Sequence, residues 1–175
     1  SSSAASDVYK RQVVLCAIEN GKHVVTANKK LLAEYGNEIF ALAAEKNVMV
    51  MFEAAVAGGI PIIKALREGL AANRIKSVAG IINGTSNFIL SNMRSHGSPF
   101  AEVLKQAQEL GYAEADPTFD IEGHDAAHKL SIMSALAFGT PINFQHCYLE
   151  GISKLESQDI RYAEELGYRI KLLGI

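Results

Sequence analysis

The residues best equipped for chemistry lie together in the stretch 111–129, GYAEADPTFDIEGHDAAHK. It holds Glu114, Asp116, Asp120, Glu122 and Asp125, with no lysine or arginine until Lys129. Pro117 and Gly123 punctuate it, so its first part is expected to be loop. From about residue 123 a helix is expected. Asp125 and Lys129 are four apart and share a face of that helix. An amine held beside carboxylates in a partly closed site makes a good general acid/base, because burial and neighbouring charge tune its pKa. The same residues also suit a plainer reading, a surface acidic loop ending in a helical ion pair.

The elements that must position these groups can be read along the chain. Residues 1–12, SSSAASDVYKRQ, show no strand or helix period and are expected to be a disordered or foreign lead. A short helix is expected over 13–20, with Val13, Val14, Ala17 and Ile18 on one face. Buried strands are expected over 23–27 and 48–55, with a helix over 31–47 between them. That β-α-β order implies a parallel sheet, and ligands bind at the carboxyl ends of such strands. Lys29 and Glu53 lie at or near those ends. Gly58 and Gly59 mark a hinge at 57–60, and Pro61 suits a first helical turn over 61–72. A strand follows over 75–82. The turn Asn83-Gly84-Thr85-Ser86 offers Thr85 or Ser86 as cap for a helix over 86–95. Further helices are expected over 100–110, 124–138 and 157–166, and strands over 149–152 and 168–175.

Composition narrows the function. The chain has 175 residues, 49% hydrophobic, with formal net charge −2. That is globular, with no basic excess for nucleic acid and no lysine-rich amphipathic segment for a membrane surface. No apolar run approaches the ~18 residues of a membrane span. Cys16 and Cys147 make neither a disulfide framework nor a zinc motif. Each is expected to be a small buried hydrophobe in a reducing compartment, which with the lack of a signal sequence points to the cytoplasm.

The ordered string Gly-Tyr-Ala-Glu-Ala-Asp-Pro-x-x-Asp-Ile-x-Gly-x-Asp-x-x-x-Lys over 111–129 resembles the signature of the homoserine dehydrogenase family. Flanking pieces resemble it in the same order: Val24-Val25-Thr26-Ala27-Asn28-Lys29, then Phe52-Glu53-Ala54-Ala55-Val56-Ala57-Gly58-Gly59-Ile60-Pro61, then Asn83-Gly84-Thr85-Ser86-Asn87-Phe88-Ile89-Leu90. The resemblance implies an α/β fold: the tail of a Rossmann-type parallel sheet over 13–57, then an α+β catalytic and dimerisation domain over 58–175. It implies an NAD(P)-dependent oxidoreductase that interconverts aspartate 4-semialdehyde and homoserine on the route to threonine and methionine, as a homodimer.

By the same resemblance, Lys129 is the proton donor and acceptor, and Lys29 is a second active-site lysine near the nicotinamide. Glu114 and Asp125 bind homoserine, with Asp125 also holding Lys129, and Asp120 is a further active-site acid or a helix cap. Gly111 touches the cofactor, NADP or NAD, through its backbone. Glu53, Val56, Gly58 and Ile60 form a sodium site, one carboxylate plus loop carbonyls. Asp116, before Pro117, reads as a turn residue.

No Gly-x-Gly-x-x-Gly spacing occurs among the 14 glycines. A dinucleotide-binding half opens on that turn, so this chain is expected to bind NADP weakly and to be inactive alone. Two other classes compete: a non-catalytic dimerisation module of the same fold, and a metal-dependent hydrolase built on the cluster from Glu114 to His128. His124 and His128 are four apart but lack the glutamate of His-Glu-x-x-His.

Overall fold

The computed structural model describes the backbone of residues 2–175 and the side chains from Asp7 onward. The elements run α1 (Ser2–Glu19), β1 (Val24–Val25), α2 (Lys29–Glu45), β2 (Val50–Met51), α3 (Ile62–Lys64), α4 (Gly84–His96), α5 (Phe100–Glu109), α6 (Thr118–Ile121), α7 (His124–Phe138) and α8 (Ser157–Glu165). The chain forms two compact units. One takes in the chain up to Val78 together with His128–Cys147, and the other Ala79–Ala127 together with Tyr148–Ile175. The hinge expected at 57–60 lies inside the first.

In the first unit, Asn28 is the N-cap of α2. The Asn28 side chain accepts a 3.1 Å hydrogen bond from the Leu31 N–H, satisfying one of the orphan donors of a helix start. Leu32 and Ile39 are fully buried along α2, and Phe40 packs on Phe52 with ring centroids 5.3 Å apart. β1 and β2 pair in parallel, Val24 opposite Val50 and Val25 opposite Met51, as the β-α-β order requires. Each strand is buried on one face only: Val24 and Val50 are covered, while Val25 is 84% exposed. The expectation of fully buried strands is therefore corrected. Asn37 clamps the segment after α7 onto α2: its amide donates to the Ile142 carbonyl at 2.9 Å and accepts from the Ile142 N–H at 2.8 Å.

The lead expected to be disordered over 1–12 is instead helical from Ser2. Two ion pairs link α1 to α2: the half-buried Lys30 to Asp7 at 2.6 Å and the exposed Arg11 to Glu38 at 2.6 Å. These contacts are tertiary, so no local period announced them. Cys16, expected to be buried, is exposed, while Cys147 is half-buried and its thiol pKa is raised by that burial.

In the second unit the core is Ile89, Leu90, Met93, Val103, Ala107, Ala113, Ile121, Ile152 and Ile160, drawn from α4, α5, α6, α8 and the loops between them. The strands expected over 75–82, 149–152 and 168–175 do not form. The first and last meet only at an antiparallel bridge, Gly80 to Gly174. Beside it the backbone of Leu172 is satisfied by a side chain instead of a ladder. Asn87 accepts from its N–H at 3.1 Å and donates to its carbonyl at 3.0 Å.

Candidate active site

The turn Asn83–Asn87 organises the acidic stretch of the second unit. Asn83, not Thr85 or Ser86, caps α4: its side-chain oxygen accepts from the Ser86 N–H at 2.8 Å. The freed side chains reach outward. Thr85 donates to the Tyr112 carbonyl at 2.9 Å, and Ser86 donates to the Asp120 carbonyl at 2.9 Å. The Asn83 amide nitrogen donates to Asp120 Oδ1 at 2.7 Å and to Asp125 Oδ2 at 2.9 Å. One short turn therefore holds the acidic stretch at three places, and one buried amide joins two of its carboxylates.

Asp125 is buried in the first turn of α7, and Asp120 is half-buried near the end of α6. The loop expected before residue 123 thus contains a helical turn. Gly123 follows it with φ +84°, a left-handed conformation that suits glycine where the chain leaves one helix and enters the next. Asp116 behaves as the turn residue its position before Pro117 implies. Hydrogen bonds from the Thr118 side chain and N–H, the latter 3.1 Å, hold its carboxyl below the usual range. Glu114 is exposed. Its carbonyl accepts from Gln108 at 3.0 Å, so what is fixed there is its backbone. Gly111 follows the end of α5 with φ +76° and open space where a Cβ would stand.

In the first unit, Lys29 is the first residue of α2, half-buried, and its neighbour Lys30 is occupied by Asp7. Lys129 is half-buried on α7, one turn after Asp125 along the same helix. His128 is buried with its ring edge on Phe144, centroids 4.1 Å apart, whereas His124 stacks on Phe119. The two histidines are thus committed to different aromatic rings. Among the described residues no group of three or more His, Cys, Asp or Glu is arranged to hold a metal ion. The hydrolase reading therefore has no observation in its favour.

The family model for homoserine dehydrogenase matches residues 61–175, and that for the homoserine dehydrogenase NAD-binding domain matches residues 3–53. This chain belongs to the homoserine dehydrogenase family. The homoserine dehydrogenase of Neisseria gonorrhoeae is 82% identical over 165 residues, which is 94% of this chain and 38% of that relative. The crystal structure of a homoserine dehydrogenase from Thiobacillus denitrificans is 74% identical, with a TM-score of 0.92 over 94% of this chain and 38% of that one. A hyperthermophilic archaeal homoserine dehydrogenase in complex with NADPH is 34% identical, with a TM-score of 0.76 over 83% of this chain and 44% of that one. The chain spans about two-fifths of the length of the curated relatives it matches. The α/β class and the parallel β1–β2 pair agree with these neighbours.

Within this family frame, the residues expected to hold sodium meet a different observation. Both Glu53 carboxylate oxygens accept from main-chain donors, Oε1 from Ile63 at 2.7 Å and Oε2 from Lys64 at 2.8 Å. Those two hydrogen bonds cap α3 and fix the loop between, and each carboxylate oxygen keeps a further lone pair. The residue that pattern reasoning passed over is Asn83, which it placed in a turn without a role. Its partners lie 37 and 42 positions away, so only a count of the buried donors of the Asn83–Asn87 turn could have pointed to it. An apolar cavity of about 520 Å³, lined by Phe40, Val50, Phe52, Arg67 and Leu136 among others, contains none of the expected catalytic or substrate residues.

Proposed function

We propose that this chain is part of an NAD(P)-dependent enzyme that interconverts aspartate 4-semialdehyde and homoserine in threonine and methionine biosynthesis. The observation that carries the reading is the amide-bridged pair Asp120–Asp125 at the start of the helix that bears Lys129. Two carboxyl side chains held together suit the ammonium group common to both substrates.

Each residue then has a task. Asp125, with Glu114, binds the substrate ammonium, and Asp120 sets the charge around it. Bound NAD(P)H supplies the hydride that the aldehyde carbon takes up. As the aldehyde oxygen gains charge, the Lys129 ammonium gives it a proton, leaving homoserine and a neutral amine. In the reverse direction that amine removes the hydroxyl proton. By the family resemblance, Lys29, at the start of α2, would stand beside the nicotinamide as a second active-site lysine. Gly111 offers its backbone to the cofactor, and its open, left-handed position suits such close approach. By the family resemblance, Glu53, Val56, Gly58 and Ile60 would hold a monovalent cation through one carboxylate plus loop carbonyls, and no step of the reaction passes through it.

We also propose that the protein works as a homodimer and in the cytoplasm. Among the described residues no helix is long and apolar enough to cross a membrane. The deciding experiment extends this sequence with a Gly-x-Gly-x-x-Gly nucleotide segment and follows NADPH oxidation by aspartate semialdehyde. Turnover by the parent and its loss in Lys129→Ala support the reading. Equal turnover by both removes Lys129 from the chemistry, and turnover by neither leaves the dimerisation-module reading ahead.

A further inference from the structure

Asn83 makes more contacts than a helix cap needs. Its side chain is buried, 3% exposed, and every polar atom on it is used: the oxygen on the Ser86 N–H, the nitrogen on Asp120 and on Asp125. Its own carbonyl accepts from the Asn87 amide at 3.0 Å, which fixes the backbone beneath it. A cap requires only the acceptor, and serine or aspartate would serve equally well. What asparagine adds is an NH₂ group with two donors. Serine has one, and aspartate has none. A lysine could bridge the same carboxylates, but would cancel their charge. A neutral amide holds them together and leaves the negative potential in place.

We infer that Asn83 is a positioning residue that fixes the Asp120 and Asp125 side chains as a pair, and through it sets the preference for an ammonium-bearing substrate over the same molecule without its amine. The inference rests on the reading of Asp125 as an ammonium-binding carboxylate. It goes further by assigning the selectivity to a residue that touches neither substrate nor cofactor. A merely structural asparagine would, when replaced, weaken all ligands alike. A positioning one weakens only the ligand whose ammonium meets the pair.

The test measures binding of L-homoserine and of its deaminated analogue, 4-hydroxybutyrate, to this chain and to Asn83→Ser, which keeps the cap and loses the two-donor amide. The expected result is that the parent prefers homoserine. In the variant, homoserine affinity falls about tenfold or more while that for 4-hydroxybutyrate holds. A variant that keeps the parent's preference overturns the role of Asn83 and leaves the Asp125 reading standing. A parent without any preference overturns the Asp125 reading, and this inference with it. If Asn83→Ser does not fold, the parent alone decides by NMR. The Asn83 side-chain amide protons should shift on adding homoserine and stay put with 4-hydroxybutyrate, and unmoved signals with both ligands sink the inference.

Discussion

Glu53 Oε1 accepts a 2.7 Å hydrogen bond from the Ile63 N–H, ten residues on, while its other oxygen takes the Lys64 N–H. The carboxylate thus closes the loop over residues 54–62 and satisfies two donors at the start of α3. Removing it in Glu53→Ala should lower stability by about 1–2 kcal/mol, the range for losing a helix cap. Glu53→Gln, which retains one acceptor, should lose less. Urea unfolding in sodium chloride and again in choline chloride checks both points. A loss in both salts is expected from the cap, and a further loss in sodium alone would show that the carboxylate also holds the cation.

Gly151 sits against the turn that leads into α7. A Cβ there would lie 2.7 Å from Glu122 Cα and 2.7 Å from the Ile121 carbonyl, which are backbone atoms. The neighbouring Ile152 N–H is already bonded to that carbonyl at 2.7 Å. Neither side can give way without breaking the bond. Gly151→Ala should cost about 2 kcal/mol or more, at the upper end for overpacking. Gly167 has φ +81° and open space around it, so Gly167→Ala should cost only about 1 kcal/mol of backbone strain. Thermal unfolding of the two variants side by side decides whether close approach or conformation dominates.

How far these features could be read beforehand depends on how local their causes are. Helix α7 was expected over 124–138 and spans His124–Phe138, because glycines end it on both sides; its middle is buried at Ile132 and Met133, while Leu130 and Leu136 are only half-buried and Phe138 is exposed. Helices α2, α5 and α8 follow their periods in the same way. The parallel pairing of β1 and β2 followed from an intervening helix. The failures are tertiary. The segment 168–175 is rich in β-formers, yet Asn87 satisfies Leu172 and no ladder extends from Gly174. In the turn Asn83–Ser86, Thr85 or Ser86 was expected to cap α4. The choice falls to Asn83 because Thr85 and Ser86 are spent on the carbonyls of Tyr112 and Asp120. The residues of the acidic stretch were legible as a group, but the amide that joins two of them was not.

The ion pair between Asp7 and Lys30 sets a pH dependence on the attachment of α1. The hydrogen bond to Lys30 holds the Asp7 carboxyl below its ordinary value of 3.8, and the same bond raises Lys30 above 10.5. A lowered folded-state pKa gives stability that is present above the ordinary carboxylate range and lost as pH falls through the folded value. Asp7→Asn should therefore lower the unfolding midpoint slightly at about pH 7, and the difference should shrink as pH falls through the folded value. Because the pair is only half-buried, added salt should shrink the difference at neutral pH. A midpoint difference that persists at low pH would mean that Asp7 acts through packing.

Lys129 lies one turn after Asp125 on α7, half-buried where most of the helix face around it is buried. If it carries the proton, charge alone cannot replace it. Lys129→Arg keeps a cation of similar reach, but its guanidinium does not release a proton in the working range. In the extended, nucleotide-binding form of the chain, Lys129→Ala and Lys129→Arg should therefore both lose about 100-fold or more in kcat, the size expected for a general acid/base. Binding of homoserine should survive better in the arginine variant. A structural lysine predicts the opposite order, with arginine near parent activity and alanine impaired through stability. Measuring kcat and KM for NADPH oxidation in the three proteins, beside their unfolding midpoints, separates the two. Recovery of the alanine variant by added alkylamines would place the missing function in the proton transfer itself, since a free amine restores an acid and not a fold.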